Sequence, residues 1–453
     1  MPTLGLSMIV RDAEADLARC LESVRGVVDE IVIGDTGSTD SSPEIARRFG
    51  ARVVSVPWEN DFARARNRAL EEVRTDWVLS LDADEMLDPE SPRVMPELLS
   101  RATIAGYKVP IRNYVLSLNQ RVWDRAAQPN TSRLPAASRY PAYIEHENVR
   151  LFHRQAEIYF EGRVHETVGA RVLGAGLKLG AANFVIHHFG FVADPETRSR
   201  KNHLYRELGR EKIRERPQDA QAHFELGVEE LDHFKNAAAA RQCFERATQL
   251  NPRFQLGWVF SAVALLQLGQ YQEALLKLRS AEESGSKSLL VFECQGDAYY
   301  NLGDFESARR CYRRAEQRGG ETATLDSKLG LAEVRGGRVA DGLAHLRRAI
   351  AREPQSGEPY DSLVSAYVWL GRLEEAASTA EAKLEAVEPQ PQFFLRAASI
   401  RARLQDFDRT TRLLQKGLEL FPQAPKLLEA QRELEAKAGI TKVPKSLGTP
   451  IAT

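Results

Sequence analysis

The feature that most restricts how this chain can fold is a period of 34 residues in its second half. The fragments "LGQY", "LGDF", "GGRV", "LGRL" and "LQDF" begin at residues 268, 302, 336, 370 and 404. Small residues recur at the same interval, at Ala240, Ala274, Ala308, Gly342, Ala376 and Thr410. Four positions further on stand Phe244, Leu278, Tyr312, Leu346, Ala380 and Leu414. Pro252, Pro354 and Pro422 share one slot as well. From about residue 217 the chain reads as helix after helix, so each period holds an antiparallel pair. The small residue lets two helices approach closely, and the larger one fills the groove beside it. One pair cannot bury its apolar face alone, so the pairs must stack.

This pattern resembles the tetratricopeptide repeat. It implies about six repeats over 206–437, an α-solenoid with a concave surface suited to extended peptides. The tail 438–453 is expected to fray. Cys243 and Cys311 fall in one slot two periods apart, which argues for packing and against chemistry.

The first part has a different grammar. "LGLSMIV" (4–10), "EIVIGD" (30–35), "RVVSVP" (52–57) and "DWVLSLD" (76–82) read as strands. Between them "AEADLARCLESVRGV", "SSPEIARRFG" and "FARARNRALEEV" have helical spacing, the second with a serine cap, Pro43 early and Gly50 at its end. Such alternation predicts an α/β domain, 1–205, with a mainly parallel sheet and helices on both faces. Ligands then sit at the carboxyl ends of the strands, where Asp35 and Asp82 fall.

Charge and cysteine content exclude several classes. Lys and Arg total 62 against 63 Asp and Glu, a net charge of -1, which argues against bulk electrostatic binding to nucleic acid or anionic lipid. No apolar run approaches the ~18–20 residues of a membrane span. The start reads as a first strand and not as a signal peptide. The four cysteines show no CxxC spacing, so neither a zinc knuckle nor a disulfide framework is indicated, and a reducing, cytoplasmic setting is expected. "LGAGLKLG" (173–180) lacks the third glycine of a dinucleotide loop, and no Walker-type loop, GxSxG or HExxH occurs.

Three pieces carry the chemistry. In "IVIGDTGSTDSS" Asp35 ends a strand before a Gly/Ser/Thr turn; "NDFARARNRAL" sets Arg64, Arg66 and Asn67 on a helical turn; "LSLDADE" (79–85) crowds three carboxylates at a strand end. A solvated turn would accommodate that crowding. So would a bound Mn2+ or Mg2+ bridging two phosphates, with one aspartate on the cation and the other on a ribose hydroxyl.

Taken together, "SMIVRDAE", "DTGSTDSS", "FARARN" and "LSLDADE" closely resemble the nucleotide-sugar glycosyltransferases of family 2, which have the Rossmann-like GT-A fold. The likeness continues more loosely through "RLFHR", "FEGRVHE" and "IHHFGF" to about residue 205. The stretches 5–24 and 187–208 look like a bacterial subgroup with tetratricopeptide repeats behind the catalytic domain, and bacteriocin-peptide S-glycosyltransferases and lipopolysaccharide-core glucosyltransferases are similar in the first part. The resemblance implies a UDP-sugar donor, with Asp35 on the uracil and Val10 and Arg11 lining the base pocket. Arg66 would lie near base or phosphates, and Asp82, followed by Ala83, would touch the ribose. Asp84 would be the main metal ligand. His188 matches the family's H-x-G-aromatic pattern and would complete the metal site, with His187 as the fallback. Apart from the resemblance, the basic run 198–217 reads as a solvated linking helix from which Lys201 could reach a diphosphate. Inverting transfer needs a carboxylate base; Glu166 in "GRVHE" is the first candidate, with Glu145 and Glu147 as rivals.

The segment 106–160 reads as aromatic and irregular, the place to meet an acceptor, with Trp123 and Tyr140 free to stack on it. A peptide or protein acceptor, recruited by the repeats, is the leading expectation. A glycan acceptor from surface-polysaccharide assembly and a non-catalytic repeat scaffold are the alternatives.

Overall fold

The computed structural model describes residues 2–118, 120–190 and 195–437; the expected tail, 438–453, lies outside the described residues. By packing the chain forms two compact units, one ending at Ser288 and the other starting at Leu289. The sheet domain and the first two helix pairs share the first unit, and residue 205 lies inside an unbroken helix.

The sheet is built from β1 (Leu4–Val10), β2 (Glu30–Asp35), β3 (Arg52–Ser55), β4 (Trp77–Ser80) and β5 (Glu85–Leu87), with α1 (Glu14–Ser23), α2 (Ser42–Arg48) and α3 (Phe62–Glu71) between the first four. After α4 (Ser91–Ser100) come β6 (Gly106–Val115), the short β7 (Arg121–Val122), β8 (Arg125–Ala126) and β9 (Gln128–Pro129), and the long β10 (Ala142–His153). Then follow α5 (Gly169–Gly174), β11 (Leu179–Ala181) and β12 (Ile186–His188). The order is β3-β2-β1-β4-β10-β6-β12-β5. The pairs among β3, β2, β1 and β4 are parallel, while β10 runs antiparallel to both β4 and β6. The sheet is therefore mixed, with a Rossmann-like parallel half.

Buried strands of this kind need both faces covered, so β1 is apolar almost throughout: Leu4, Leu6, Met8 and Val10 join Leu79, Tyr107, Ile111 and Ile186 in one core. Strand order reverses at β1, because β2 lies on one side and β4 on the other. That is the crevice where open α/β sheets hold ligands.

The expected irregular segment 106–160 is instead mostly β-structure. Residues 106–115 and 142–153 pair along nearly their whole length, with a bulge between Val149 and Leu151. The segment's aromatic residues are divided among separate clusters: Tyr107 packs in the main core, Tyr114 and Tyr143 in another, and Phe152 in a third. Tyr140, 2% exposed, is buried with Tyr114, Tyr143 and Phe189 and is not free to stack on an acceptor. Trp123 remains 37% exposed, its ring edge-on to Phe224 at 5.7 Å.

The long α6 (Pro195–Glu215) leads to the pairs α7 (Ala220–Asp232) with α8 (Ala237–Leu250) and α9 (Gln255–Gln267) with α10 (Tyr271–Glu283). The second unit holds α11 (Leu289–Asn301) with α12 (Phe305–Glu316), α13 (Ala323–Arg335) with α14 (Val339–Arg352), α15 (Gly357–Trp369) with α16 (Leu373–Ala386), α17 (Pro391–Arg403) with α18 (Phe407–Leu420), and α19 (Pro425–Lys437). No described helix is long and apolar enough to cross a membrane.

Within each pair, residue volumes compensate. A Cβ on Gly296 of α11 would lie 2.3 Å from the Tyr312 ring of α12, and one on Gly330 would lie 2.7 Å from Leu346 Cγ. One period later the first helix carries Val364, and the facing slot shrinks to Ala380. Replacing Gly296 by Val overfills this slot and should cost about 1–3 kcal/mol. Urea unfolding should show the loss, and the double variant Gly296→Val with Tyr312→Ala should recover part of it.

Candidate functional site

The site is assembled at the carboxyl end of β4. Asp82 lies between two guanidiniums: Arg66 Nη2 donates to Oδ1 and Arg150 Nη2 to Oδ2 at 3.3 Å. Arg66 Nε donates to Glu166 Oε1 at 2.5 Å, and Arg150 Nη2 also donates to Glu85 Oε1 at 2.8 Å. Glu85 Oε2 accepts from the Asp82 amide at 2.8 Å. Glu166, Arg66, Asp82, Arg150 and Glu85 thus form one alternating chain of charges. Burial works to raise the Asp82 carboxyl, but Arg66 and Arg150 overcome it and hold the group far below the usual carboxylate range. Glu85, at the far end, is pushed up to about 7 by burial, against the pull of Arg150. Two of the three crowded carboxylates are therefore neutralised within the fold.

The third, Asp84, faces a histidine. Asp84 Oδ2 lies 3.3 Å from His188 Nε2, and His188 Nδ1 lies 2.6 Å from Asn113 Oδ1. Asn113 Nδ2 donates to the Ile144 carbonyl at 3.1 Å and to His146 Nδ1 at 2.8 Å. Burial holds His146 down to about 4, so it is neutral and accepts. The orientation of Asn113 follows, its Oδ1 must accept, and His188 therefore carries its proton on Nδ1. Nε2 is left as a lone pair aimed at a carboxylate, an arrangement that needs a proton or a cation between them. Gly190 makes the approach possible: a Cβ there would lie 1.7 Å from Asp84 Oδ2 and 3.0 Å from His188 Nε2.

Among the described residues no group of three or more His, Cys, Asp or Glu side chains could cage a metal ion. The carboxylate of Asp84 and the imidazole of His188 make a two-donor set that could hold a divalent cation whose remaining ligands come from a bound substrate or water.

The remaining expected site residues are placed as follows. Asp35, ending β2, accepts from the Ser38 amide at 3.1 Å. The side chain of Val10 is buried in the core, and its carbonyl accepts from Thr36 N and Oγ1, both at 3.0 Å; only its backbone borders the crevice. Arg11 is exposed beside Asp12. Ala83 is partly buried against the core. Lys201 on α6 is exposed, 5.5 Å from the Tyr205 ring centre. Tyr205 first, then Asp84 and Asp82, raise its pKa, which sets it within electrostatic reach of both aspartates.

Three expected candidates do not come together with the rest. His187 is buried, its ring nitrogens at 2.8 Å from Tyr114 Oη and 3.0 Å from Asp88 Oδ2, so it does not face Asp84. Glu145 is paired with Arg112 at 3.1 Å and Glu147 is exposed. Both alternate along β10 with His146, whose ring turns toward Asn113, so they project from the other face. Arg150, Asn113 and Gly190 join the site without being among the sequence candidates. The available signal for Arg150 was a single basic residue inside the apolar run "VRLF". For Gly190 it was the motif already quoted around His188. Asn113 had none.

A mixed sheet open at a switch point, with a carboxylate–histidine pair at its mouth, defines a GT-A-type domain. Residues 7–159 match Glycosyl transferase family 2, and residues 234–288 and 295–357 match the tetratricopeptide repeat; the chain carries a family 2 glycosyltransferase domain followed by such repeats. It is 33% identical over 202 residues to a TPR repeat-containing protein of Synechococcus elongatus, covering 43% of this chain and 44% of that one. It is 35% identical over 124 residues to the lipopolysaccharide core biosynthesis glycosyltransferase LpsC of Rhizobium meliloti, covering 26% and 45%. Glycosyltransferase SunS of Bacillus subtilis is 22% identical over 167 residues, covering 36% and 34%. The matched regions thus span less than half the length of each of these relatives.

The histidine geometry has a consequence for metal-free protein. Burial works to lower the His188 pKa, but the bond and charge of Asp84 outweigh it and raise it. A raised folded pKa means that the pair's stabilisation is fully present below about 6.5, the unfolded value, and is lost as pH rises through the folded value. In a histidine NMR titration with chelator, His188 should titrate above 6.5, and Asp84→Asn should lower it, because burial is then opposed only by the weaker pull of Glu85 and Asp82.

Proposed function

We propose that the protein is a metal-dependent, inverting glycosyltransferase that moves a sugar from a UDP-sugar to a peptide or protein side chain. The observation that carries this reading is the Asp84–His188 pair, its tautomer set by Asn113 and its closeness permitted by Gly190. Bound there, Mn2+ or Mg2+ would offset charge on the diphosphate leaving group. The nitrogen ligand favours Mn2+. Asp35 and Arg11 would hold the uracil and Asp82 the ribose, since each Asp82 oxygen keeps acceptor capacity beyond its arginine. Lys201 would add a positive charge beside the diphosphate.

Glu166 is the proposed base. Arg66 fixes one of its oxygens, Oε1, while Oε2 accepts no hydrogen bond among the described residues. That oxygen would take the proton from the acceptor nucleophile as the anomeric carbon is attacked. The peptide acceptor rests on the bacteriocin-peptide resemblance and on the repeats. The likeness to LpsC, named for lipopolysaccharide core biosynthesis, supports a second reading with a glycan acceptor.

With a panel of UDP-sugars, the wild type should release UDP in Mn2+ and not in chelator, and Asp84→Ala should release none. Absence of both release and UDP binding would leave a repeat scaffold as the function. Glu166→Gln should lower turnover by about 10²–10⁴-fold while calorimetry shows unchanged UDP-sugar affinity. Cell extracts given labelled donor should yield labelled protein; label in lipid or glycan would select the second reading.

A further inference from the structure

The loop that carries Glu166 is closed on itself by a pair of backbone bonds between Glu161 and Thr167, both at 3.1 Å. Within it Gly162 and His165 have φ of 105° and 54°, so the chain turns through left-handed conformations that a free loop would abandon. What holds it comes largely from α6 and α7. Arg163 donates to Glu215 Oε1 at 2.8 Å and lies 3.2 Å from Glu211. The His165 ring meets Tyr205 edge-on at 5.7 Å. Between them, Lys212 Nζ donates to the Val164 carbonyl at 3.1 Å and to Glu225 Oε2 at 2.7 Å. The Lys212 and Glu225 side chains are only 8% and 10% exposed.

A lysine buried to this degree is costly unless paired, and its partner here is on the first helix of the first repeat pair. A surface tether between domains would not require burying the charge. From this juxtaposition we infer that Lys212 is a positioning residue for the reaction: with Glu225 it clamps the 161–167 loop, so that α6 and α7 are part of the catalytic unit and hold Glu166 against Arg66. The inference rests on Glu166 as the base for its catalytic meaning, but the clamp itself does not depend on that role. The grouping of the first repeats with the sheet domain in one compact unit agrees with it.

Losing one partner of a buried pair leaves the other charge uncompensated, whereas replacing both by apolar side chains is often neutral. Lys212→Met should therefore lower Tm, and Lys212→Met with Glu225→Met should restore most of it. The Val164 carbonyl lacks its donor in both variants. Hydrogen exchange at the Glu161, Thr167 and Phe62 amides, which bond within or to the loop, should accelerate about 10- to 100-fold in both, the range for a lost charge-assisted bond. Transfer by the double variant should show a lowered kcat with KM for the UDP-sugar unchanged. Wild-type exchange rates in the double variant would overturn the clamp, as would unchanged kcat in an enzyme shown to be active. If the wild type transfers no sugar, the reading of Glu166 falls, and the exchange rates still decide the clamp. Should Lys212→Met not fold, the double variant carries the test.

Discussion

Everything at the mouth of the sheet depends on the alternation of carboxylates and guanidiniums from Glu166 through Arg66, Asp82 and Arg150 to Glu85. Each member comes from a different place in the chain: the 161–167 loop, α3, the turn after β4, β10 and β5. Like charges crowded at one strand end would repel strongly in a partly dry crevice, and the two arginines remove most of that cost. They also fix geometry, because one guanidinium fork reaches two carboxylates at once. A crevice built from five segments is thereby held to one shape before any ligand arrives.

The alternation also separates tasks. Asp82 is locked in the network, whereas Asp84, two residues on, pairs with His188. The histidine is oriented by Asn113, which is oriented in turn by a carbonyl and by a neutral His146. That second layer leaves a lone pair where a proton or a cation must go, and Gly190 keeps the space clear. The metal reading therefore rests on a chain of hydrogen-bond donors and acceptors and not on a count of acidic residues.

The repeats contribute in two ways that differ physically. In the second unit each helix pair is fitted by complementary volumes, Gly296 against Tyr312 and Val364 against Ala380, so the period survives although individual residues change. In the first unit the opening helices do something else. Lys212, Glu225, Tyr205 and Glu215 turn toward the 161–167 loop, and a basic run that reads as a solvated linking helix becomes a support for it.

The sequence by itself determined the two grammars, the repeat period, the parallel strands and the candidates Asp35, Asp82, Asp84 and His188, because these depend on local spacing of apolar residues and on short motifs. It could not show that 106–160 forms two long paired strands, since the pairing of 106–115 with 142–153 is made across the intervening residues 116–141 and leaves no local pattern. Motifs rank His188 before His187 and Glu166 before Glu145 and Glu147, but they do not show which way each side chain points. Adjacent strand residues point to opposite faces, and only the neighbouring strands say which face holds the site. Arg150, Asn113, Gly190 and Lys212 were decided by tertiary structure alone: their partners lie 65, 75, 106 and 48 positions away, and no local pattern encodes a contact made across the folded chain.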